Sequence, residues 1–477
     1  MSEVPRSVAP TRMDPVAAAA SEIIGGPLGR YAALARPSER VRHTARSLWQ
    51  PAAAVLVGLS SLTVALGVLQ KAHCFGRGWN TPDQFWHACY SDLPVVYQSS
   101  GLGHVMPYLP GAQPLDQPLV SGLAMSLAGR LVGLGVPDGS ALVAQQWYYA
   151  LWAVLITVIV AALVVVTAAS VPGAPWRAAH VALSPVLVLA GLVSVDLLGV
   201  LLASMALWAW GRDKIILAGF LLGLAISARS YPLILLIAIG LLAVRAGKVG
   251  AWGRLTGSAL ATWFAVSLPW LVMNADGLLS VYRSWWRAGA GYGSVWFVPT
   301  LLGHALPEGV VTALSILGWL AAVAVGAFFA LSLDRRPTVA ELSLVMLVIV
   351  IVTGKAVPVQ AGLWLLPLIA LVGMKWRDHL IWAGFEAAYF VAVWLYIAGL
   401  SKPDRGMPAG GYSVLLGLRL AALLFVLTQV WRVARSRWPV DPEPVDPEPL
   451  DPIPEDEVDP LAGPMAGAPD RVLVRLG

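Results

Sequence analysis

Long apolar runs recur along the chain and are separated by short polar breaks. The first run extends from about Pro51 to Gln70, and the second from near Gln145 to Ser170. A helix needs roughly 20 apolar residues to cross a bilayer, so each run of that length is a candidate membrane span. The pattern therefore predicts an all-α polytopic membrane protein with about 12 transmembrane helices.

Arginine and lysine residues mark alternate breaks between these runs. Arginines precede the first span, and cations return in every second loop: Arg36, Arg40, Arg42, Arg46, Arg177, Arg212, Lys214, Arg245, Lys248, Arg254, Arg335, Arg336, Lys375, Arg377, Arg432, Arg435 and Arg437. Loops that carry such cations stay in the cytoplasm. We therefore expect a multi-pass protein of the plasma membrane with both termini in the cytoplasm.

The first break on the opposite side is long, from Lys71 to Asp138, and is expected to be extracytoplasmic. It holds the two cysteines of the chain, Cys74 and Cys89. A disulfide between them requires an oxidising compartment and, for a ring of about 15 residues, would contribute roughly 3 kcal/mol. The sequence predicts this disulfide, and it predicts short surface helices in the loop, such as the amphipathic stretch from Leu119 to Leu134.

The chain divides into three parts. Residues 1–46 are rich in Pro, Ala and Arg and lack the pattern of a signal peptide, so we expect a disordered cytoplasmic segment. Residues 47–437 form the predicted transmembrane domain. Residues 438–477 begin with an acidic, proline-rich five-residue repeat, which is typical of a disordered cytoplasmic tail.

Composition narrows the classes of function. With 58% hydrophobic and 12% charged residues, the chain is not a soluble globular protein. Its net charge of +5 comes from loop cations and not from a basic stripe, so we expect no nucleic-acid partner. The sequence has no phosphate-binding loop, dinucleotide turn, zinc spacing or nucleophile elbow. A divalent cation is the only cofactor left open.

Two acidic residues are candidates for chemistry at the outer membrane surface. Asp92 lies in Cys89-Tyr90-Ser91-Asp92-Leu93-Pro94, at a turn that enters a short helix, where a carboxylate could take a proton from a sugar hydroxyl. The alternative is a helix-capping or turn aspartate. Asp196 follows Ser194-Val195 at the junction of the third and fourth predicted spans, and an ionisable group bounded by apolar residues at such a boundary is typical of a functional site.

Several cations and aromatic residues fall on the predicted outer side. Arg229, Lys355, Arg287 and His304 could hold a phosphate, although long basic side chains also snorkel to lipid headgroups. Aromatic and amide side chains could line a sugar or acceptor site, with an ordinary interfacial belt as the alternative for the aromatic ones. The candidates are Tyr90, Tyr97, Tyr108, Tyr231, Trp296 and Gln360.

At these residues the sequence resembles glycosyltransferase family 87 of the GT-C superfamily, the actinobacterial polyprenyl-phosphate-mannose-dependent mannosyltransferases. The resemblance extends from Cys74 to about Gly399. Its matching pieces are Cys74 with Gly78-Trp79, Cys89 to Pro94 with Tyr97, Gly101-Leu102, Pro107-Tyr108, Ser184-Pro185, Asp196-Leu197-Leu198, Arg229 with Tyr231-Pro232, Gly293 to Trp296, Lys355 with Pro358-Val359-Gln360, and Leu363 to Pro367.

The resemblance implies a GT-C fold and an inverting transfer of a sugar, most simply mannose, from a polyprenyl-phosphate donor to a lipid-linked or cell-envelope glycan acceptor. Asp92 would be the general base, with Asp196 and Asp116 as further acidic residues of the site. Where many relatives carry Glu-Tyr-Pro, this chain has Asp116-Gln117-Pro118, and Arg229-Ser230 replaces a lysine-containing pair without loss of charge. The alternative function is a lipid or glycolipid transporter that makes no bond, for which an internal repeat would be expected.

Overall fold

The computed structural model describes residues 49–104, 106–112, 115–136, 140–436 and 459–473. Within these residues the chain is helical and contains no strand. The predicted N-terminal segment 1–46 lies outside the described residues, and so do residues 438–458 and 474–477 of the predicted tail.

The described part of the chain contains eighteen α-helices and four short 3₁₀ turns. In chain order the helices are α1 (Trp49–Gln70), α2 (Ala72–Arg77), α3 (Asp83–Trp86), α4 (Asp92–Ser99), α5 (Leu119–Gly135), α6 (Ala141–Ser170), α7 (Ala179–Ala182), α8 (Pro185–Ala190), α9 (Asp196–Trp210), α10 (Ile215–Ala228), α11 (Pro232–Arg245), α12 (Val249–Arg287), α13 (Val298–Leu301), α14 (Glu308–Ser332), α15 (Val339–Val352), α16 (Ala361–Val372), α17 (Trp376–Ser401) and α18 (Ala409–Ser436).

Six of these helices are long and apolar enough to cross a membrane, namely α1, α6, α12, α14, α17 and α18. Six others are apolar but shorter, between 10 and 17 residues: α5, α9, α10, α11, α15 and α16. The predicted all-α membrane protein is therefore confirmed. The count of about 12 spans and the GT-C architecture remain predictions.

The apolar stretch 178–195, between the cation Arg177 and Asp196, is not one continuous helix. It is divided between α7 and α8 at Leu183 and Ser184, where the Ser184 hydroxyl accepts a hydrogen bond from the Val186 amide and Pro185 begins the new helix. A serine followed by proline is a strong helix start, because the hydroxyl satisfies a free amide and proline needs no amide partner. The break leads α8 toward the short segment 191–195 that precedes Asp196.

Helices α10 and α12 pack closely because α10 presents glycines to its neighbour. A Cβ atom added to Gly219 would lie 2.5 Å from the Leu255 carbonyl oxygen, and one added to Gly223 would lie 2.5 Å from that of Ala259. Small residues at helix interfaces allow this approach within apolar surroundings, where van der Waals contact supplies most of the attraction. The contact places the C-terminal end of α10, just before Arg229, beside the middle of α12.

The long loop after α1 is closed and anchored. Cys74 and Cys89 form the predicted disulfide. Beyond it, the Ser91 hydroxyl donates to the Leu192 carbonyl at 2.7 Å, and the Asp92 amide donates to the Val193 carbonyl at 2.7 Å. These bonds dock the start of α4 on the segment just before Asp196, and so bring together two acidic residues that lie about a hundred positions apart in the chain.

The expectation of a disordered tail does not describe residues 459–473, which pack against the ends of several helices. Asp470 forms ion pairs with Arg245 at 2.6 Å and with Arg336 at 2.8 Å. Arg336 also donates to the Met465 carbonyl, and the Arg471 amide donates to the Arg245 carbonyl. Burial alone would raise the pKa of the Asp470 carboxyl, but the two arginines hold that pKa below its ordinary value.

We predict that Asp470→Ala destabilises the fold. Arg245 is fully buried, and loss of the carboxylate leaves its charge with carbonyl partners alone. Hydrogen bonds to charged groups are worth roughly 1.5 to 3 kcal/mol, so we expect the free energy of unfolding to fall by about that amount. Thermal unfolding in detergent measures this change, and limited proteolysis measures release of residues 459–473.

The matched control is Asp276→Asn, which breaks an ion pair between the exposed side chains of Asp276 and Arg283. Such surface pairs contribute about 0 to 1 kcal/mol. An Asp470→Ala protein with the melting temperature and the protease resistance of the unmutated chain would show that the segment contributes nothing to the fold.

Candidate functional site

Asp92 is the first residue of α4 but does not cap it. The capping residue is Ser91, whose hydroxyl accepts a hydrogen bond from the Leu93 amide at 3.3 Å. The carboxylate of Asp92 therefore lies in the first turn, where the helix dipole favours negative charge, and is not used to satisfy a backbone amide. The helix-capping role considered for Asp92 belongs to its neighbour.

One oxygen of the Asp92 carboxylate is held and the other is open. The Tyr90 hydroxyl donates to Oδ1 at 2.7 Å, and the Tyr90 ring packs on Phe85 and Trp394. Among the described residues, no donor contacts Oδ2 of Asp92. The carboxylate is thus fixed in orientation and still has an oxygen that a proton donor could reach.

The surroundings of Asp92 make its carboxylate more basic than an ordinary aspartate. Burial raises the pKa of Asp92 to about 6, and the nearby charge of Asp196 acts in the same direction. The hydrogen bond from Tyr90 and the positive charges of Arg229 and Lys71 oppose this rise without cancelling it. The Lys71 ammonium is itself buried and donates to the Tyr90 carbonyl at 3.1 Å.

Both oxygens of the Asp196 carboxylate, in contrast, accept hydrogen bonds. Arg229 forms an ion pair with its Oδ1 through Nε, at 2.8 Å, and through Nη2, and the Ser194 hydroxyl donates to the same oxygen at 2.8 Å. The Trp364 indole donates to Oδ2 at 2.7 Å. With a donor on each oxygen and only 1% of the residue exposed, Asp196 is less accessible than Asp92 to a substrate proton or a metal ion.

Arg229 connects this pair to the segment before α5. Its Nη1 donates to the Gln117 side-chain oxygen at 2.9 Å and to the Ala228 carbonyl at 3.3 Å. These contacts, with those to Asp196, leave one N–H of Nη2 without an acceptor among the described residues. Tyr231 stacks on Trp364 at 4.9 Å between ring centroids, which covers the apolar side of the cluster.

Five of the residues proposed from sequence therefore meet in one cluster, which we call the acidic cluster: Tyr90, Asp92, Asp196, Arg229 and Tyr231. Tyr108 lies next to it, since its hydroxyl donates to the Gln117 carbonyl at 2.7 Å. Asp116 is exposed beside Gln117. Gln117, Trp364 and Lys71 also belong to the cluster, although sequence reasoning did not propose them as site residues; Gln117 and Trp364 stood within quoted motifs.

The other residues proposed from sequence to bind a phosphate are Lys355, Arg287 and His304. Among the described residues, none of them has a side-chain contact to the acidic cluster. The Lys355 ammonium donates to the Trp285 carbonyl at 2.6 Å and to the Thr312 hydroxyl at 2.8 Å, and it lies over the Trp285 ring. A cation at the C-terminal end of α12 satisfies free carbonyls and complements the helix dipole. Arg287, in the last turn of α12, and His304 are exposed.

Three further residues proposed for the sugar or acceptor site occupy separate positions. Tyr97 is buried and stacks on Tyr148 at 4.5 Å. The Trp296 indole donates to the Thr353 carbonyl at 2.9 Å. Gln360 immediately precedes α16, one turn before Trp364, and is partly exposed. Along the chain, Gln360 lies four positions before Trp364, and Tyr97 lies five positions after Asp92 on α4.

An apolar groove begins next to the Gln117–Arg229 contact. Its cavity volume is about 160 Å³, and its walls come from α5, α10 and α12, including Leu119, Ser227, Leu268, Leu271, Leu278 and Tyr282. Helix α12 bends at Asn274, whose backbone is not helical and whose side chain accepts a hydrogen bond from the Gly277 amide. The bend folds the last part of α12 over the groove, so that a lipid-like surface ends at a polar cluster.

Comparison with known proteins gives no family: no protein-family model matches the chain, and no curated protein is significantly similar to it.

We predict opposite effects on stability for two substitutions in the acidic cluster. Asp196→Asn leaves the charge of Arg229 without its ionic partner, and removal of one member of a buried pair costs roughly 3 to 5 kcal/mol. Asp92→Asn should instead stabilise the fold at about pH 8, by at most about 3 kcal/mol, because its raised pKa makes the ionised form unfavourable in the native state.

The pH dependence follows from the sign of that shift. The native chain binds the Asp92 proton more tightly than the unfolded chain. The free-energy cost of an ionised Asp92 in the native state is therefore complete above pH about 6 and absent below the ordinary aspartate pKa of about 4. Melting temperatures of Asp92→Asn and the unmutated protein should therefore converge as the pH is lowered. A gap that stays constant with pH would contradict this assignment.

Proposed function

We propose that this protein is a membrane glycosyltransferase that transfers a sugar, most simply mannose, from a polyprenyl-phosphate donor to a hydroxyl group of a lipid-linked or cell-envelope glycan acceptor. The reaction takes place on the extracytoplasmic face with inversion at the sugar. One observation carries the proposal: Asp92 combines a raised pKa, a fixed orientation and a free Oδ2.

In this reaction Oδ2 of Asp92 accepts the proton of the acceptor hydroxyl while the hydroxyl oxygen forms a bond to the anomeric carbon. The bond from that carbon to the phosphate oxygen breaks, and its electron pair stays on the departing polyprenyl phosphate. A carboxylate whose pKa is about 6 is ionised at neutral pH and is a stronger base than an ordinary aspartate. The Tyr90 hydrogen bond keeps the base in place.

Asp196 acts as a positioning residue, since its ion pair holds Arg229 in place. Arg229 retains one N–H for a donor phosphate oxygen, and the exposed Arg287 lies on the part of α12 that also forms the groove. A phosphate at the end of the groove would therefore meet positive charge, which offsets the cost of removing it from water.

The groove suits the lipid part of such a donor. Its lining is almost entirely aliphatic and aromatic, and it opens on the faces of three apolar helices. An isoprenoid chain in it would gain on the order of 25 cal/mol for each Å² of apolar surface buried. The same groove would also suit a transported lipid, and the basic carboxylate of Asp92 is the feature that favours a transferase over the alternative transporter.

The test is transfer by Asp92→Asn. Asparagine keeps the shape of aspartate and loses its basicity, so we expect transfer to fall by roughly 10² to 10⁴ while binding of the polyprenyl donor is retained. Purified protein is incubated with radiolabelled polyprenyl-phosphate mannose and an envelope lipid extract, and labelled product is counted. Asp404→Asn, which alters an exposed acid, serves as the control and should transfer at the original rate.

Transfer by Asp92→Asn within a few-fold of the unmutated protein would refute the role of Asp92 as base. If the unmutated protein binds the donor and moves it across vesicles without forming product, the transporter alternative is correct and the proposed transferase is not.

The groove gives a separate prediction. Leu271→Trp places a larger side chain in the groove and should raise the KM for a full-length polyprenyl donor roughly tenfold, equivalent to about 1.4 kcal/mol of lost apolar contact. The kcat should change little, and a donor with a short isoprenoid chain should be used equally well by both proteins. Leu260→Trp, at an exposed position of α12 outside the groove, is the matched control. An equal loss for short and long donors would place the lipid elsewhere.

A further inference from the structure

Two histidines and an aspartate meet in the disulfide-closed loop, away from the acidic cluster. The Nε2 atom of His73 lies 2.7 Å from Oδ2 of Asp83, and Nδ1 of His87 lies 3.3 Å from Oδ1 of the same carboxylate. The imidazole rings of His73 and His87 are stacked with centroids 3.5 Å apart. All three donor atoms lie within 4.8 Å of one another.

The backbone around the cluster brings these groups together without a metal. His73 lies on α2 next to Cys74, and the disulfide joins that helix to Cys89, two residues after His87. Asp83 begins α3, and the His87 amide donates to the Asp83 carbonyl at 3.2 Å. Side chains on a framework of this kind lose less conformational entropy when they bind a common ligand.

The donor set suits zinc. Neutral imidazole nitrogen and carboxylate oxygen are the ligands of three-residue zinc sites, in which water occupies the fourth position. Nitrogen and oxygen lie about 2.0 to 2.2 Å from zinc in such sites, so tetrahedral donors are roughly 3.3 Å apart. At least one of the two stacked rings has to turn to reach that geometry, because an imidazole nitrogen binds a metal in the plane of its ring. Each is partly exposed, between 29% and 46%, so an ion has access from solvent.

The alternative is a hydrogen-bonded cluster without metal. His87 Nδ1 contacts both the carbonyl and the carboxylate of Asp83, so its proton is shared between two oxygens, while His73 uses the other carboxylate oxygen. Two imidazole rings then stack face to face around one carboxylate, an arrangement that repels if both rings become charged. A cation between the three groups replaces that repulsion with three bonds.

We propose that His73, Asp83 and His87 bind one zinc ion. The ion would join α2 to α3 and, through the disulfide, brace the backbone that runs from Cys89 to Asp92. The site is separate from the acidic cluster, which contains none of its three ligands. The proposal is independent of the glycosyltransferase function and of the topology of the chain.

The experiment is zinc titration of the untagged full-length protein in detergent, after removal of metal with a chelator. Competition with a zinc-binding dye should give one tight site per chain. Asp83→Asn and His87→Gln should each weaken binding by more than the roughly 10- to 100-fold that loss of a partner supporting a ligand costs. His104→Gln, which alters an exposed histidine of the same loop, is the matched control and should bind as the unmutated protein does.

A second measurement needs no variant. Zinc should protect His73 and His87, and not His104, from modification by diethyl pyrocarbonate, as mapped by mass spectrometry. Failure to bind zinc at one equivalent, equal binding by all the variants, or protection that does not distinguish His104 would each overturn the proposal. Retention of zinc by a protein that transfers no sugar would leave the zinc site standing and would count against the proposed function alone.

Discussion

The buried ion pair between Asp196 and Arg229 is the interaction on which the rest of the site depends. Both charges leave water, which costs several kcal/mol for each ion unless their remaining hydrogen-bonding groups are satisfied. Three different segments of the chain provide these hydrogen bonds: Ser194 and Trp364 donate to Asp196, and Gln117 accepts from Arg229. The need to satisfy one pair of charges therefore fixes how the start of α9, the end of α10, the N-terminal part of α16 and the segment before α5 are arranged.

The hydrogen bonds around this pair give the two acidic residues different properties. Asp196 has a donor on each oxygen, whereas Asp92 has a donor on one oxygen only. Neighbouring carboxylates whose environments differ in this way can take different chemical roles. The unsatisfied negative charge resides on Asp92, and burial together with the charge of Asp196 raises its pKa to about 6. Tyr90 limits the rise, since a donor to the ionised form favours ionisation.

Sequence reasoning predicted the elements that depend on local pattern and on unique residues. The all-helical membrane class follows from the apolar runs, and the disulfide follows from there being only two cysteines. The predicted topology placed Asp92, Asp196 and Arg229 on the same side of the membrane, and the resemblance assigned them to one site. Their contacts could not be predicted, because these residues lie far apart in the chain and nothing local encodes which of them touch. Gln117 was visible as a departure from a motif, but its bond to Arg229 was not.

Other features could not be predicted because distant partners decide them. Asp470 binds Arg245 across 225 positions, and this contact overrides the disorder suggested by the composition of the tail around it. The break at Ser184 and Pro185 lies inside an apolar run, where hydrophobicity alone indicates a continuous helix. The meeting of the loop histidines at Asp83 was only partly visible in the sequence: His87 follows Asp83 by one helical turn, but His73 reaches it through the fold of the disulfide-closed loop.

Cations on the predicted outer side have two separate explanations in this structure. Lys355 is used by the fold: its ammonium satisfies carbonyls at the end of α12, and little of it remains for a ligand. Most of the N–H groups of Arg229 donate to Asp196 and Gln117, and one has no acceptor among the described residues. In the proposed reaction a donor phosphate would thus receive only part of its neutralisation from Arg229. The rest has to come from exposed cations such as Arg287, on the segment of α12 beyond the bend at Asn274, which is also the segment that covers the lipid groove.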